Sequence, residues 1–376
     1  MTGHGIPEGP EQVTDGWLTS ALRENGAVAQ ASVISHTTEL VEMQGAAAVV
    51  ARLELDYDLV EAGAPRSLVA KFASPHEPIR ALMHAFGGYL REVEFYRQFG
   101  VDPGIPTPRC FCAEIDPASG VFVLLLEDMS DSRVADGITP SVEDTEVAVR
   151  HLAPFHAKWW GHRLLRDLEF LRYPGSPAAK VLMAQARGAL AAALPAAREQ
   201  FGSEFPPTLV TVTERLLANF DALLTTRQEQ FQDSATLVHG DYHPGQIFFP
   251  SERGGRFAVF DWQTVNAGNG GDDLARIIVT GLTTEQREAS EGRLIELYHA
   301  LLVDHGLTGY DIEQCREGYR LGLLTTLVIN VIAGPNIDPA LLEEVEASTG
   351  VSVAEALFGR LAAAIEAHDV LELVST

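Results

Sequence analysis

Two carboxylates and one carboxamide between residues 239 and 262 have a spacing that could support acid–base and metal chemistry. Asp241 lies in a His-Gly-Asp segment, Gln246 follows five positions later, and Asp261 follows twenty positions after Asp241. Phosphoryl transfer to a hydroxyl needs one carboxylate that orients and deprotonates the hydroxyl, and two oxygen ligands that hold Mg²⁺ against nucleotide phosphates. These three side chains could supply all three groups.

Composition limits the other possibilities. The chain has 376 residues, 46% of them hydrophobic and 21% charged, which is typical of a globular protein with two lobes or domains. Its net charge of −25 argues against a nucleic-acid or anionic-membrane surface, because binding phosphates requires a basic patch. The charge would suit a cationic substrate, but the acidic residues are spread along the chain, which favours a merely acidic surface.

The termini and apolar runs favour a soluble, cytoplasmic protein. The first residues have neither a basic region nor an apolar stretch after it, and no apolar run approaches the length of a membrane span. We therefore expect no membrane partner. The sequence gives no indication of oligomeric state.

The first third of the chain alternates short β-like runs with a helical segment. Strands are predicted near residues 32–37, 47–57, 67–72, 109–115 and 121–127, and one helix is predicted over about 79–99. This pattern is typical of a small α+β lobe, assigned to residues 1–128.

The pattern of residues 129–376 predicts a mostly helical lobe, in which the Asp241 segment lies on short strands and a loop. A helix over about 177–194 should end or kink at Pro195. Another is predicted over 283–304, where Thr283 and Gln286 fit a capping box. The predicted fold class is α+β and bilobal, with a small β-rich N-lobe and a larger helical C-lobe.

The chain resembles the aminoglycoside phosphotransferase and choline kinase-like family, which has the protein kinase-like fold. His239-Gly240-Asp241 through Gln246 is similar to the family's H-G-D-x-x-x-x-N loop, with Gln in place of Asn, and Asp261-Trp262 is similar to its second metal-binding motif. Maltokinases of the same superfamily also have Gln at this place. The resemblance covers about residues 30–280.

The resemblance implies roles for the three opening residues. Asp241 would be the catalytic base that holds the acceptor hydroxyl in line with the γ-phosphate. Gln246 and Asp261 would bind Mg²⁺, with Asp261 as the stronger ligand. A Gln that only hydrogen-bonds within the loop remains the alternative for Gln246.

The nucleotide-binding residues are assigned in the same way. Leu68-Val69-Ala70-Lys71 resembles the kinase V-A-I-K strand, so Lys71 would pair with the ATP phosphates. Glu92 is preferred over Glu94 as the acid that holds Lys71, because it precedes Val93, Phe95 and Tyr96 as the family's helix Glu does.

Two further segments complete the predicted ATP site. The backbone groups of Glu127 and Met129 would bind the adenine edge at the hinge between the lobes. Gly45, in a segment of small residues, would lie in the loop that covers the phosphates.

The sequence thus predicts an ATP- and Mg²⁺-dependent kinase of a small-molecule hydroxyl substrate. The alternative is a nucleotide-binding pseudokinase or regulatory protein without phosphotransfer, because Gln246 departs from the pattern and the glycine-rich loop is thin. The acceptor is left open. An acidic cleft in the C-lobe would favour cationic aminoglycosides, whereas an apolar cleft would favour macrolide-like, steroid-like or lipid alcohols.

Overall fold

A computed structural model describes residues 5–41, 47–135, 138–139, 141–223, 231 and 233–375. The chain forms two compact units, and the division is discontinuous in sequence. The first unit comprises residues 1–133 and 250–264, and the second comprises 134–249 and 265–376. A boundary between residues 128 and 129 stays a prediction.

The first unit is built on a five-stranded antiparallel sheet with the strand order β1-β2-β3-β5-β4. The strands are β1 (Val33–Leu40), β2 (Ala48–Tyr57), β3 (Ser67–Ala73), β4 (Cys110–Ile115) and β5 (Phe122–Glu127). These are the five strands that the alternating apolar pattern predicted. In β3 the register pairs Lys71 with Val50 on one side and with Leu124 on the other.

Helices in the first unit are α1 (Asp15–Glu24), α2 (Glu77–Phe86) and α3 (Gly88–Phe99). The prediction of one helix over 79–99 was wrong in its continuity, because Gly87 adopts the left-handed conformation, at φ 69°, and ends α2. Helix α1 packs its apolar face, including Trp17 and Leu22, against Leu53 and Phe72 of the sheet. Because side chains alternate across a strand, Lys71 is directed to the opposite face from Phe72.

The second unit is mostly helical. Its helices are α4 (Val142–Trp159), α5 (Leu164–Asp167), α6 (Pro177–Phe201), α7 (Pro207–Ala218), α8 (Gly270–Gly281), α9 (Thr284–Asp304), α10 (Ile312–Ala333), α11 (Pro339–Thr349), α12 (Arg360–Ala367) and α13 (Val370–Leu373). Strands β6 (Thr236–Val238) and β7 (Ile247–Phe249) flank the predicted catalytic loop, and β8 (Asn266–Gly268) pairs with β6. The sheet of the first unit and the helices of the second confirm the predicted α+β class.

Two helix predictions in this unit had different outcomes. The capping box was confirmed, since Thr283 Oγ1 accepts from the backbone of Gln286 while the Gln286 side chain accepts from the backbone of Thr283. Of the two outcomes predicted for Pro195, an end of the helix was wrong, because α6 continues to Phe201. A kink at Pro195 stays a prediction. A buried stripe at Leu190, Leu194, Ala197 and Phe201 extends past the proline, and packing along this stripe holds the last turns.

Within the described ranges, no single helix has the length and apolarity to cross a membrane, although the bent pair Ile312–Asn336 and Pro339–Thr349 meets both requirements jointly.

Candidate active site

A buried ion cluster in the first unit joins three of the predicted site residues. Lys71 Nζ donates to Glu92 Oε2 at 2.7 Å, to Glu92 Oε1 at 2.9 Å and to Asp261 Oδ1 at 2.6 Å. Lys71 is 8% exposed and Glu92 is 1% exposed, so water contributes little to their solvation. Glu94 contacts Arg97 and Gln98 instead. The structure therefore brings Glu92, and not its neighbour, to the lysine.

The cluster shifts the proton affinities of its members. Burial lowers the pKa of Lys71, but the negative charges of Asp261 and Glu92 outweigh burial and hold this pKa above its ordinary value. Burial raises the pKa of Glu92 to about 7; Lys71 opposes this rise and Asp261 adds to it. When both carboxyl groups are ionised, the cluster has an excess negative charge, which a divalent cation could neutralise.

The backbone at Asp261 holds its carboxylate in place. Asp261 has φ 62°, a left-handed conformation that few non-glycine residues adopt, although aspartate does so more often than most. The next residue, Trp262, is fully buried and stacks on Phe95 of α3 with ring centroids 3.8 Å apart. Because Glu92 lies on the same helix as Phe95, this stacking fixes Asp261 beside the Lys71–Glu92 pair.

In the second unit, the loop after β6 presents Asp241. Asp273, which is fully buried on α8, accepts from the backbone N–H of His239 at 2.7 Å and from that of Gly240 at 2.9 Å. The buried ring of His156 lies 3.3 Å from the same carboxylate and 2.7 Å from the hydroxyl of Tyr298. Asp273 therefore braces the loop backbone.

The Asp241 side chain is held by residues other than those that brace its backbone. Arg276 Nε donates to Asp241 Oδ1 at 2.9 Å, and His243 Nε2 lies 3.6 Å from Asp241 Oδ2. Burial raises the pKa of Asp241, but the charges of Arg276, His243 and His239 outweigh it and hold this pKa well below its usual range. Asp241 is thus ionised throughout the neutral pH range.

The model of the ecdysteroid kinase-like family matches residues 42–308, which is most of the chain. The chain belongs to this family. The resemblance to kinase-like phosphotransferases inferred from the loop motif is thereby confirmed.

Three individual proteins have low sequence identity to this chain, between 12% and 24%. An uncharacterised kinase-like protein of Caenorhabditis elegans is 24% identical to this chain over 248 residues. The match covers 61% of this chain and 61% of that relative's length. A Ralstonia eutropha crystal structure assigned to the aminoglycoside phosphotransferases is 18% identical at a TM-score of 0.49, with 95% of both chains covered. The choline kinase of Streptococcus pneumoniae is 12% identical at a TM-score of 0.44, covering 90% of this chain and 94% of its own.

The predicted hinge residues of this ecdysteroid kinase-like chain lie at the end of β5. The side chain of Glu127 accepts from the backbone of Arg109 at 2.9 Å and from Arg256 Nη2 at 2.5 Å. Met129 is buried, and its carbonyl accepts from the backbone of Ser132 at 2.8 Å. Gly45, expected in the phosphate-covering loop, lies outside the described residues. The roles of all three in binding adenine or phosphate stay predictions.

The donor types expected for Mg²⁺ are present at the predicted positions. Asp261 offers a carboxylate, and Gln246 offers an amide oxygen from the single turn Pro244–Gln246. In the described part of the chain, no group of three or more His, Cys, Asp or Glu side chains forms a metal cage. Mg²⁺ at a phosphate site needs only one or two protein oxygens beside the phosphates and water, and the carboxylate of Asp261 is a donor of this kind. The metal-binding role of Gln246, which belongs to the other unit, stays a prediction.

A cavity of about 240 Å³ lies within the second unit, between α6, α7, α8 and α10. Most of its described lining is apolar, including Leu182, Met183, Phe220, Leu321, Leu324 and Val328. Its charged lining residues in the described ranges are Arg172 and Asp272, and Asp272 Oδ1 already accepts from Thr325 Oγ1 at 2.9 Å. The cavity is therefore suited to an apolar ligand.

Helix α8 connects this cavity with the Asp241 loop. Asp272 lines the cavity, Asp273 braces the loop, and Arg276 contacts Asp241. Asp272 and Arg276 are four residues apart, so they share a helix face with a separation of about 6 Å along the axis. A ligand in the cavity would thus lie within one helical turn of the residue that holds Asp241.

Arg276 is the main site residue that sequence reasoning missed. It follows Asp273 by three positions on α8, and its exposure of 8% is known only from the structure. No spacing rule of the loop motif includes it. Lys71, Glu92 and Asp261 belong to the first unit, whereas Asp241 and Gln246 belong to the second.

Proposed function

We propose that the protein is an ATP- and Mg²⁺-dependent kinase that transfers the γ-phosphoryl group to the hydroxyl of an apolar small molecule. The observation that carries this proposal is the buried cluster of Lys71, Glu92 and Asp261, in a chain of a kinase-like family. Burying this lysine with two carboxylates costs free energy, because all three charged groups lose hydration. Clusters of this kind are typical of functional sites.

The reaction assigns distinct tasks to the chain's own residues. The acceptor oxygen forms a bond to the γ-phosphorus, the bond from that phosphorus to the bridging oxygen breaks, and ADP leaves with the electron pair. The hydroxyl proton passes to Asp241. Because the pKa of Asp241 is held low, the carboxylate accepts this proton late, and orienting the hydroxyl is its larger contribution.

The nucleotide would be bound mainly by the first unit. Lys71, held by Glu92, would pair with the phosphates, and the backbone of Glu127 and Met129 would bind the adenine edge. Asp261 and Gln246 would hold Mg²⁺, which when bound neutralises charge on the phosphates.

The cavity in the second unit supports an apolar acceptor. Each Å² of apolar surface removed from water contributes about 25 cal/mol, so aliphatic and aromatic walls favour a hydrophobic alcohol. A polycationic aminoglycoside would lose the hydration of its ammonium groups there, with Asp272 as the one carboxylate among the described lining residues. Of the two acceptor classes that the sequence left open, we therefore favour macrolide-like, steroid-like or lipid alcohols.

A comparison of two acceptor sets tests this proposal. Purified protein with ATP and Mg²⁺ should consume ATP and give a phosphorylated product, identified by mass spectrometry, with members of a panel of sterols, terpenoid alcohols and fatty alcohols. It should give none with a matched panel of aminoglycosides. Product from aminoglycosides alone would refute the apolar acceptor.

Because Gln246 departs from the loop motif, a nucleotide-binding pseudokinase is the alternative proposal. Calorimetry that detects Mg²⁺-dependent ATP binding, together with no phosphorylated product from either panel, would support the rival. Transfer to any alcohol would exclude it.

A further inference from the structure

We propose that Arg276 is a positioning residue for phosphoryl transfer: it fixes one carboxylate oxygen of Asp241 and so leaves the other oxygen for the acceptor hydroxyl. This rests on the function proposed above. Arg276 Nε donates to Asp241 Oδ1 at 2.9 Å, whereas His243 Nε2 lies 3.6 Å from Asp241 Oδ2. The two oxygens of the carboxylate are thus in different environments.

The guanidinium that makes this contact is itself held in place. Arg276 is 8% exposed, and its Nη1 donates to Oδ1 of Asn330 on α10. Asn330 is 1% exposed and donates from Nδ2 to the carbonyl of Leu357 at 2.6 Å. Fixing the orienting group beforehand avoids its reorganisation during the reaction.

The contact serves the Asp241 side chain and not the fold of its loop. The loop backbone at His239 and Gly240 is held by Asp273. Removing the Arg276 side chain would leave these two hydrogen bonds in place. The backbone of Asp241 would then stay in place, but its carboxylate would lose the partner that sets its rotation and favours its ionised form.

In the part of the chain that the structure describes, the charged or titratable groups that face this carboxylate or its loop include Arg276 of α8, His239 and His243 of the loop itself, and Asp273 of α8, which binds the loop backbone. Arg276 and the two histidines favour the ionised form of Asp241. Arg276 is the one of these three whose charge does not depend on pH in the physiological range. Without it, the pKa of Asp241 should rise.

The α10 helix links this positioning to the acceptor cavity. Leu321, Leu324 and Val328 of α10 line the cavity, and Asn330 on the same helix holds Arg276. Because Arg276 contacts Asp241 and not the residues proposed to bind the nucleotide, replacing Arg276 should lower kcat more than it weakens ATP binding. This split distinguishes a positioning role from a general loss of structure.

The variants Arg276→Met and Arg276→Lys test the inference, with Arg293→Met as the matched control, because Arg293 is exposed and pairs with Glu146 on the surface. For an alcohol that the wild type phosphorylates, Arg276→Met should lower kcat about 10- to 100-fold, since one orienting contact is lost. KM for ATP should stay within about twofold of wild type. Arg276→Lys should recover part of the rate, and the control should match wild type.

A second readout does not depend on turnover. In protein labelled with ¹³C at the aspartate side chains, and with the Asp241 signal assigned through Asp241→Asn, the wild-type carboxylate should remain ionised down to the lowest pH at which the protein stays folded. In Arg276→Met it should titrate at higher pH. If Arg276→Met does not fold, Asn330→Leu, which releases the guanidinium on its other side, should shift the titration in the same direction.

The outcomes separate the two proposals. Unchanged kcat together with an unchanged Asp241 titration in Arg276→Met would overturn the role of Arg276. A wild type that phosphorylates no alcohol would overturn the proposed function, and the titration alone would then decide whether Arg276 controls the charge of Asp241. A proportionate loss of kcat and of folded protein, with the titration unmoved, would assign Arg276 to structure only.

Discussion

Lys71 Nζ and Asp261 Oδ1 lie 2.6 Å apart although 190 positions separate them in the chain. Together with the two oxygens of Glu92, this contact occupies all three N–H donors of the lysine. A nucleotide phosphate that binds Lys71 must therefore replace one carboxylate. Asp261 is the more exposed of the two, with a side-chain exposure of 12% against 1% for Glu92, so we expect it to be the one that leaves.

Replacing Lys71 should impair both binding and stability. In Lys71→Met the two carboxylates lose their cation, and an uncompensated buried charge should lower the free energy of unfolding by about 3–5 kcal/mol. ATP affinity, measured by calorimetry, should fall as well. The control is Lys180→Met, because Lys180 is exposed. Equal affinity for ATP in Lys71→Met and the control would contradict the role of Lys71.

The pH dependence of stability should report on Glu92. Its pKa is raised from 4.5 to about 7 in the folded protein, so the folded state binds a proton more tightly than the unfolded state does. This stabilisation is complete below pH 4.5 and is lost as pH rises through 7. Relative to Glu92→Gln, which does not titrate, the wild type should lose up to about 3 kcal/mol of unfolding free energy across this range.

Denaturant unfolding at a series of pH values would measure this loss. Glu94→Gln, on the same helix but outside the cluster, should leave the wild-type pH profile unchanged. A difference between wild type and Glu92→Gln that stays constant from pH 4.5 to 8 would show that the cluster does not raise the pKa of Glu92.

Gln246 should affect the requirement for Mg²⁺. Removing its amide oxygen in Gln246→Leu should raise the Mg²⁺ concentration needed for half-maximal ATP binding by about 10-fold or more, as for loss of a metal-site partner. Gln246→Glu keeps an oxygen donor at the same position and should stay close to wild type. Identical Mg²⁺ titrations for the leucine and glutamate variants would assign Gln246 to hydrogen bonding within the loop.

Two neighbouring residues on α6 can test the acceptor cavity. Leu182 lines the cavity, whereas Val181 is 58% exposed. A charge in Leu182→Asp would be desolvated by an apolar acceptor, so KM for that acceptor should rise by about 10-fold or more. Val181→Asp adds the same charge to the same helix and should leave KM unchanged. Equal KM values for the two variants would move the acceptor to another site.

The elements with local signals were predictable from the sequence, and contacts between distant residues were not. The Val69-Ala70-Lys71 segment resembled the kinase lysine strand and predicted β3, and Glu92 was preferred because it precedes Val93, Phe95 and Tyr96 as the family's helix Glu does. The broken helix at Gly87 was missed, because an apolar stripe continues on both sides of the glycine. Arg276 was missed because its partner lies 35 positions away, and only the folded chain brings the two side chains together.

Asp261 illustrates the same limit. Its place in a motif was visible in the sequence, but its left-handed backbone and the stacking of the next residue, Trp262, on Phe95 were visible only in the structure. Packing of this kind has no signature in residue spacing. The apolar cavity could not be predicted either, because it lies between separate helices. The apolar stripe of each helix alone is typical of an ordinary buried core.

Transfer of labelled phosphate from [γ-³²P]ATP to an apolar alcohol, compared between the wild type and Asp241→Asn, tests the central claim most directly. The account predicts a labelled, Mg²⁺-dependent product from the wild type and a kcat lower by roughly 10²–10⁴ in Asp241→Asn, with ATP affinity retained. Wild-type turnover in Asp241→Asn, or no labelled product from the wild type with any alcohol, would contradict it.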